Sequence, residues 1–181
     1  MMFRLLAVAA LSALILAGCG SAVERSAAYV ERAREYMAED DYVKARLDLR
    51  NAVKIDPENI EARMLLVEVA ERERNLKAMF NQLNRVLTID PDYVDAHVKL
   101  GVILLAAARN DPSRLDQVRE HVDAALDVEP DNPDARVLRA TLMRRDGDKP
   151  GAFAAVREVL EEHPGNVAGN SLLFSLYLPD D

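Results

Sequence analysis

The sequence predicts an all-α protein built as a stack of similar helix pairs, and three observations predict it. The first is composition. The 181 residues are 50% apolar and 30% charged, with 5% aromatics, no Trp, 7 Gly and 8 Pro. Ala, Leu, Glu, Arg and Asp dominate, which favours helix over strand. The second is a recurring Pro context: Ile55-Asp56-Pro57-Glu58-Asn59, Ile89-Asp90-Pro91-Asp92-Tyr93, Val128-Glu129-Pro130-Asp131-Asn132 and Glu162-His163-Pro164-Gly165-Asn166, spaced 34, 39 and 34 residues apart. The third is periodicity. Tyr29, Arg32, Ala33 and Tyr36, then Ala45, Leu49, Ala52 and Val53, recur every three or four residues, as on one helix face.

The elements follow in chain order. Arg4 precedes Leu5 to Ala17, a 13-residue apolar run broken only by Ser12. That length suits a signal-peptide core and is short for a bilayer span. Beyond it, Asp40-Asp41, Arg74-Asn75, Asn110-Asp111-Pro112-Ser113 and Asp146-Gly147-Asp148 interrupt the helical runs with turn formers and N-cap residues. The recurring prolines close the helices before them, because a residue preceding Pro disfavours the helical region. Helices are therefore predicted near 22–38, 42–54, 58–73, 76–88, 92–108, 114–127, 131–145, 149–162 and 166–178. The third turn is lengthened by an insertion near Arg109 to Leu115. The ninth helix carries Leu172, Leu173, Phe174, Leu176, Tyr177 and Leu178 and has no following partner helix. It reads either as a cap whose spare face docks a partner or a second copy, or as the first half of a longer array.

The period of 34 with Pro near the end of each unit resembles the tetratricopeptide repeat (TPR), two antiparallel helices per unit. The first unit carries the pattern best, with Tyr29, Ala33, Tyr36, Ala45, Leu49, Ala52 and Pro57. The second has Leu66, Val67, Ala70, Met79, Leu83, Val86 and Pro91. The third has Leu100, Gly101, Leu104, Val118, Val122, Ala125 and Pro130. The fourth has Ala140, Met143, Ala152, Val156, Val159 and Pro164. The chain departs from the pattern in lacking Trp and in placing Met79 and Val118 at a small position. The resemblance implies an all-α TPR solenoid of four helix-turn-helix units in a right-handed superhelix, plus a C-terminal unpaired helix. The units are 26–59, 60–93, 94–132 and 133–166, and residues 167–178 form a capping or truncated-repeat helix. A single pair cannot bury its apolar face, so stacked neighbours supply the core.

The apolar N-terminal run ends in Leu16-Ala17-Gly18-Cys19, which resembles the lipobox of bacterial lipoproteins. By that resemblance residues 1–18 are a signal peptide cleaved between Gly18 and Cys19. Cys19, the only cysteine, becomes acylated, and residues 19–25 form a short linker. A thiol is nucleophilic enough for lipid transfer, and several acyl chains anchor stably where one is marginal. Gly20 rather than Asp follows the Cys, which in enteric-type sorting implies an outer-membrane lipoprotein facing the periplasm, with the inner membrane as the alternative. The N-terminal stretch also resembles long TPR lipoproteins found near exopolysaccharide and PEP-CTERM sorting systems.

Composition and motifs argue against most chemistry. A net charge of −8 disfavours a nucleic-acid partner. One Cys leaves no disulfide framework or multi-Cys metal site. His97, His121 and His163 do not show the helical spacing of a metal site, and no phosphate loop or nucleophile elbow is present. No enzyme activity, cofactor, metal or small-molecule substrate is expected. What remains is a surface. By resemblance, positions 2, 5, 9 and 12 of each first helix line the concave side. The candidate groove residues are Val30, Arg34, Met64, Glu68, Val98, Val102, Val137 and Thr141, with Val30, Met64, Val98 and Val137 as an apolar seam. Apolar seams rimmed by charge mark peptide or helix docking. Val30 and Arg34 stand where the carboxylate-clamp subfamily has Lys and Asn, so no such clamp is expected. The expected function is a membrane-anchored interaction scaffold of the bacterial cell envelope, holding a protein partner of an assembly, export or pilus system. The alternatives are an N-terminal fragment of a longer TPR lipoprotein and a pilotin-like lipoprotein of type IV pilus assembly.

Overall fold

The computed structural model describes residues 21–109 and 111–178. The segment expected to be a signal peptide, with Gly18 and Cys19, lies outside the described residues. Among the described residues the secondary structure is helical, without strands. The helices are α1 (Ala22–Ala38), α2 (Tyr42–Ile55), α3 (Ile60–Arg72), α4 (Leu76–Ile89), α5 (Val94–Ala107), α6 (Arg114–Val128), α7 (Pro133–Arg145), α8 (Lys149–Glu162) and α9 (Val167–Tyr177). None is long and apolar enough to cross a membrane.

The three first helices expected at 58, 92 and 131 begin two residues later. The Pro-containing turns account for the delay. Asp56 Oδ1 accepts the Glu58 N–H at 3.1 Å, and Asp56 O accepts the Asn59 N–H at 3.2 Å, so the chain is still turning at Asn59. Asn59 and Asn132 then act as N-caps, their side chains accepting the N–H groups of Ala62 (2.8 Å) and Ala135 (3.0 Å). Tyr93 caps α5 without a side-chain bond. In the first, second and fourth repeats the turn between the helices uses a left-handed residue: Asp40 (φ 58°), Arg74 (φ 53°) and Gly147 (φ 90°). Gly is suited to that region and Asp and Arg are strained in it. Gly151 lies inside α8, where its N–H donates to the capping Asp148 carboxylate at 2.9 Å.

The chain divides into two compact units, one up to Arg74 and the other from Asn75. The division falls in the turn between α3 and α4, inside the second repeat. In the first unit α2 packs on α1 and on α3. Val30, Ala33, Ala45, Leu49, Ala52, Ala62, Leu66 and Val69 form its buried cluster, flanked by half-buried Tyr29, Tyr36 and Tyr42. The small residues let the helix axes approach, and the tyrosines fill the margins. Ser26 sits in this core, its hydroxyl donating to Ala52 O at 3.1 Å and accepting from Asn59 Nδ2 at 2.9 Å. Such pairing meets the cost of burying a hydroxyl.

In the second unit the packing runs consecutively from α4 to α9, with added first-helix contacts between α5 and α7 and between α7 and α9. One cluster joins Val94, Leu104, Val118, Val122, Ala125, Leu126, Ala135, Leu138 and Leu142. Another joins Val137, Ala140, Ala152, Val156, Val159, Leu172 and Leu176. At Gly101 an added Cβ would stand 3.1 Å from a Leu138 methyl, so the glycine permits the approach of α5 to α7. The last helix is not loose. Leu172 and Leu176 are buried, and the Phe153 and Tyr177 rings meet edge to face at 5.3 Å. Its other side, with Val167 and Phe174, is exposed.

Candidate protein-binding surface

The first-helix stripe divides by repeat position. Position 5 is packed. Val30 is 1% exposed within the first unit's cluster, and Val137 is 4% exposed among Ala140, Leu172 and Leu176. The repeat resemblance puts both in an open seam, and the structure makes both core residues. Residues of the next first helix share their clusters: Ala62, Leu66 and Val69 with Val30, and Leu172 and Leu176 with Val137. Val98 is half-buried against the α5–α7 cluster, and Met64 is half-buried. Position 9 is the outward one. Arg34, Glu68 and Val102 are exposed, and Thr141 is half-buried with its hydroxyl donating to Val137 O at 2.9 Å.

The outward residues give each unit its own surface. In the first unit Arg34 bonds Glu61 through Nη2 at 2.5 Å and Nε at 3.2 Å. That hydrogen bond, followed by the charge of the same carboxylate, raises the Arg34 pKa. Tyr42, Glu68, Glu71 and Arg72 line an open depression, where the Arg72 guanidinium lies 4.9 Å from the Tyr42 ring centre and bonds Asp40 at 2.8 Å. This surface is polar and mostly acidic. In the second unit α5 presents Val102, half of its surface open, beside half-buried Val98 and Leu105. Asp95 and Asp134 lie towards the starts of α5 and α7, and Arg144 towards the end of α7. An apolar strip with opposite charges at its ends suits docking of a peptide or helix better than it suits chemistry.

One contact escaped the sequence reading. His97 and His121, placed on different helices without a shared motif, face each other with Nδ1 atoms 2.9 Å apart, and His97 Nε2 lies 2.7 Å from Pro91 O. The carbonyl can only accept, so His97 donates through Nε2 and accepts at Nδ1 from His121. Burial, then the proximity of His97, lowers the His121 pKa from its ordinary 6.5, and Glu120 opposes this. The available signal was positional. Asp48 and His121 occupy the same place in the second helices of their repeats, and that place faces the first helix. Among the described residues no three His, Cys, Asp or Glu side chains gather as metal ligands.

Residues 113–167 match the tetratricopeptide-repeat family. No curated protein matches the chain. Solved structures with similar folds include the following three. The MamA protein is 16% identical over 85% of this chain and 81% of its own, with a TM-score of 0.68. PilW, described as a widely conserved type IV pilus biogenesis factor, is 22% identical over 83% and 68%, with a TM-score of 0.66. A thermophilic TPR protein of Thermus thermophilus is 18% identical over 84% and 81%, with a TM-score of 0.66. These likenesses, with the repeat match, give the chain the all-α TPR solenoid fold that the resemblance implied.

Proposed function

We propose that this protein is a non-enzymatic interaction scaffold of the bacterial envelope, anchored through acylated Cys19 and binding a protein partner on the outward first-helix positions. The observation that carries the binding part is Val102. A branched aliphatic stands 52% exposed in mid-helix, beside half-buried Val98 and Leu105. The TPR fold supports a protein partner, the Leu16-Ala17-Gly18-Cys19 sequence supports the anchor, and Gly20 after the Cys supports an outer-membrane, periplasm-facing location. The PilW likeness favours a pilus-assembly system as the second reading. The test is crosslinking in intact cells followed by purification from membranes. The expected result is a discrete partner that is captured by the wild type and lost with Val102→Glu. Equal capture by both proteins would reject this surface. A pilus component as the captured protein would select the second reading. For the anchor, Cys19→Ser should move the protein out of the membrane fraction, and the mature wild-type N-terminus should carry acyl mass.

A further inference from the structure

The exposed stripe along the second helix of each repeat changes chemistry from repeat to repeat. On α2 it consists of Val43, Leu47, Arg50 and Lys54, at helical spacing. Val43 is 68% and Leu47 61% exposed, and both cations are exposed. The one acidic residue within α2, Asp48, is turned inward and held by Arg32. The neighbouring Lys44 is matched by Asp41. Among the described residues Arg50 and Lys54 have no carboxylate partner. The equivalent positions of α6 are Asp116, Glu120, Asp123 and Asp127, all exposed. A chain of net charge −8 thus keeps this face of α2 free of exposed carboxylates and gives it two aliphatic side chains instead; α4 also lacks carboxylates, but its equivalent positions are Lys77, Asn81, Asn84 and Thr88, with one cation and no aliphatic side chain.

We propose that this α2 stripe is a docking surface for an anionic lipid bilayer. The inference rests on the anchor reading in one respect: Cys19 precedes α1 by three residues, so acylation there would tether the unit that carries α2. An acidic protein surface would satisfy Arg50 and Lys54 but would set carboxylates against Val43 and Leu47. A bilayer surface takes both, because its headgroups attract the cations while the acyl boundary accepts the aliphatics. Each Lys or Arg near an anionic leaflet strengthens the attachment about fivefold. The effect is local, since the attraction fades within a Debye length. The α6 stripe, repelled by the same leaflet, serves as the internal control.

The experiment uses the full chain, processed in cells and reconstituted into phosphatidylcholine vesicles with or without phosphatidylglycerol. Acylation blocks the natural thiol, so Leu47→Cys or Glu120→Cys supplies the single labelling site. A label at 47 should become several-fold less accessible to an aqueous quencher only when phosphatidylglycerol is present, and a label at 120 should not change. Adding Arg50→Gln and Lys54→Gln should remove the protection, a loss on the order of twentyfold or more in docked over undocked protein. Equal access at 47 in both vesicles would overturn the proposal, as would equal protection at 120 or protection by an added acidic protein alone. Mass spectrometry of the N-terminus reads the anchor separately. If no acyl mass is found, the anchor reading fails, and flotation of the chain with phosphatidylglycerol vesicles decides the docking surface alone. Flotation lost with Arg50→Gln and Lys54→Gln would support docking, and no flotation, or flotation unchanged by that double substitution, would overturn it.

Discussion

In the first unit the place of Asp48 is filled by a carboxylate whose side chain is 8% exposed, held by Arg32 at 2.5 and 2.8 Å. In the second unit the same repeat position is His121, facing His97 across 2.9 Å. The outer ion pairs are shared rather than contrasted: Arg46–Glu73 in the first unit has its repeat counterpart in Arg119–Asp146 of the second, where Arg136 also pairs with Glu158 and Glu162. The first unit differs in its tyrosines, which carry cations: Arg32 on Tyr29, Lys44 on Tyr36 and Arg72 on Tyr42. The second unit closes one helix pair with two imidazoles. The repeat thus specifies backbone course and small apolar positions, and it leaves the polar contact between its two helices open to different chemistry. Opposite charges and neutral imidazoles can serve the same geometry, but they respond differently to pH.

The largest expected effect tests what the two units share. Val30 and Val137 hold the same repeat position in different units, and both are buried. Val30→Glu and Val137→Glu should each destabilise by about 3 kcal/mol or more, because each strands a carboxylate in an apolar cluster. Chemical denaturation followed by circular dichroism measures both. If one variant keeps wild-type stability, position 5 is not a shared core position and the comparison fails at its base.

That position also shows what was legible in the sequence. Proline spacing and the mid-repeat turns located the helices of the described residues, because a Pro-closed helix leaves a mark within one or two residues. The turns at Asp40-Asp41, Arg74-Asn75 and Gly147-Asp148 were equally local. Three of the four helix starts after the prolines come two residues later than the spacing predicts, since residues such as Asn59 and Asn132 serve as caps rather than helix. The sorting of Val30 and Val137 from Val102 was not legible. Helical periodicity says which residues share a stripe, but the distance to the next first helix decides which of them it covers. The His97–His121 contact was hidden for a related reason. It joins two helices across 24 residues and repeats no motif of its own.

A smaller effect separates the units by pH. The folded His121 prefers its neutral form, so its pKa lies below the unfolded 6.5. The unfolded chain then binds more protons as pH falls below 6.5, and folding stability must decrease there. The stability is fully present above pH 6.5 and is lost progressively as pH falls through the folded pKa. Arg32 stays charged throughout this range, its pKa raised by the hydrogen bond to Asp48. Thermal midpoints taken from about pH 7.5 to about pH 5 should therefore fall by a few degrees more in the wild type than in His121→Gln. A variant that follows the wild-type curve would remove the imidazole pair from the account of pH sensitivity.

The smallest expected effect is the sharpest test of the surface assignment. Val102 lies four residues from Val98 on α5, yet it is 52% exposed, while Val98 leans on the cluster of Leu104, Leu138 and Leu142. Val102→Glu places a carboxylate where water already reaches, so the free protein should change by less than about 0.5 kcal/mol, the usual range for an open surface. The same substitution at Val98 should cost more, because part of that side chain is already out of water. Two adjacent turns of one helix then give opposite outcomes: a near-silent change at 102 and a measurable loss at 98. If Val102→Glu lowered the melting temperature as much as Val98→Glu, the strip would be packing rather than an open surface. The loss of partner capture by Val102→Glu could then no longer be read as a loss of binding. If Val102→Glu is silent in the free protein, lost capture isolates the contact itself, because the carboxylate would be desolvated only when a partner covers it.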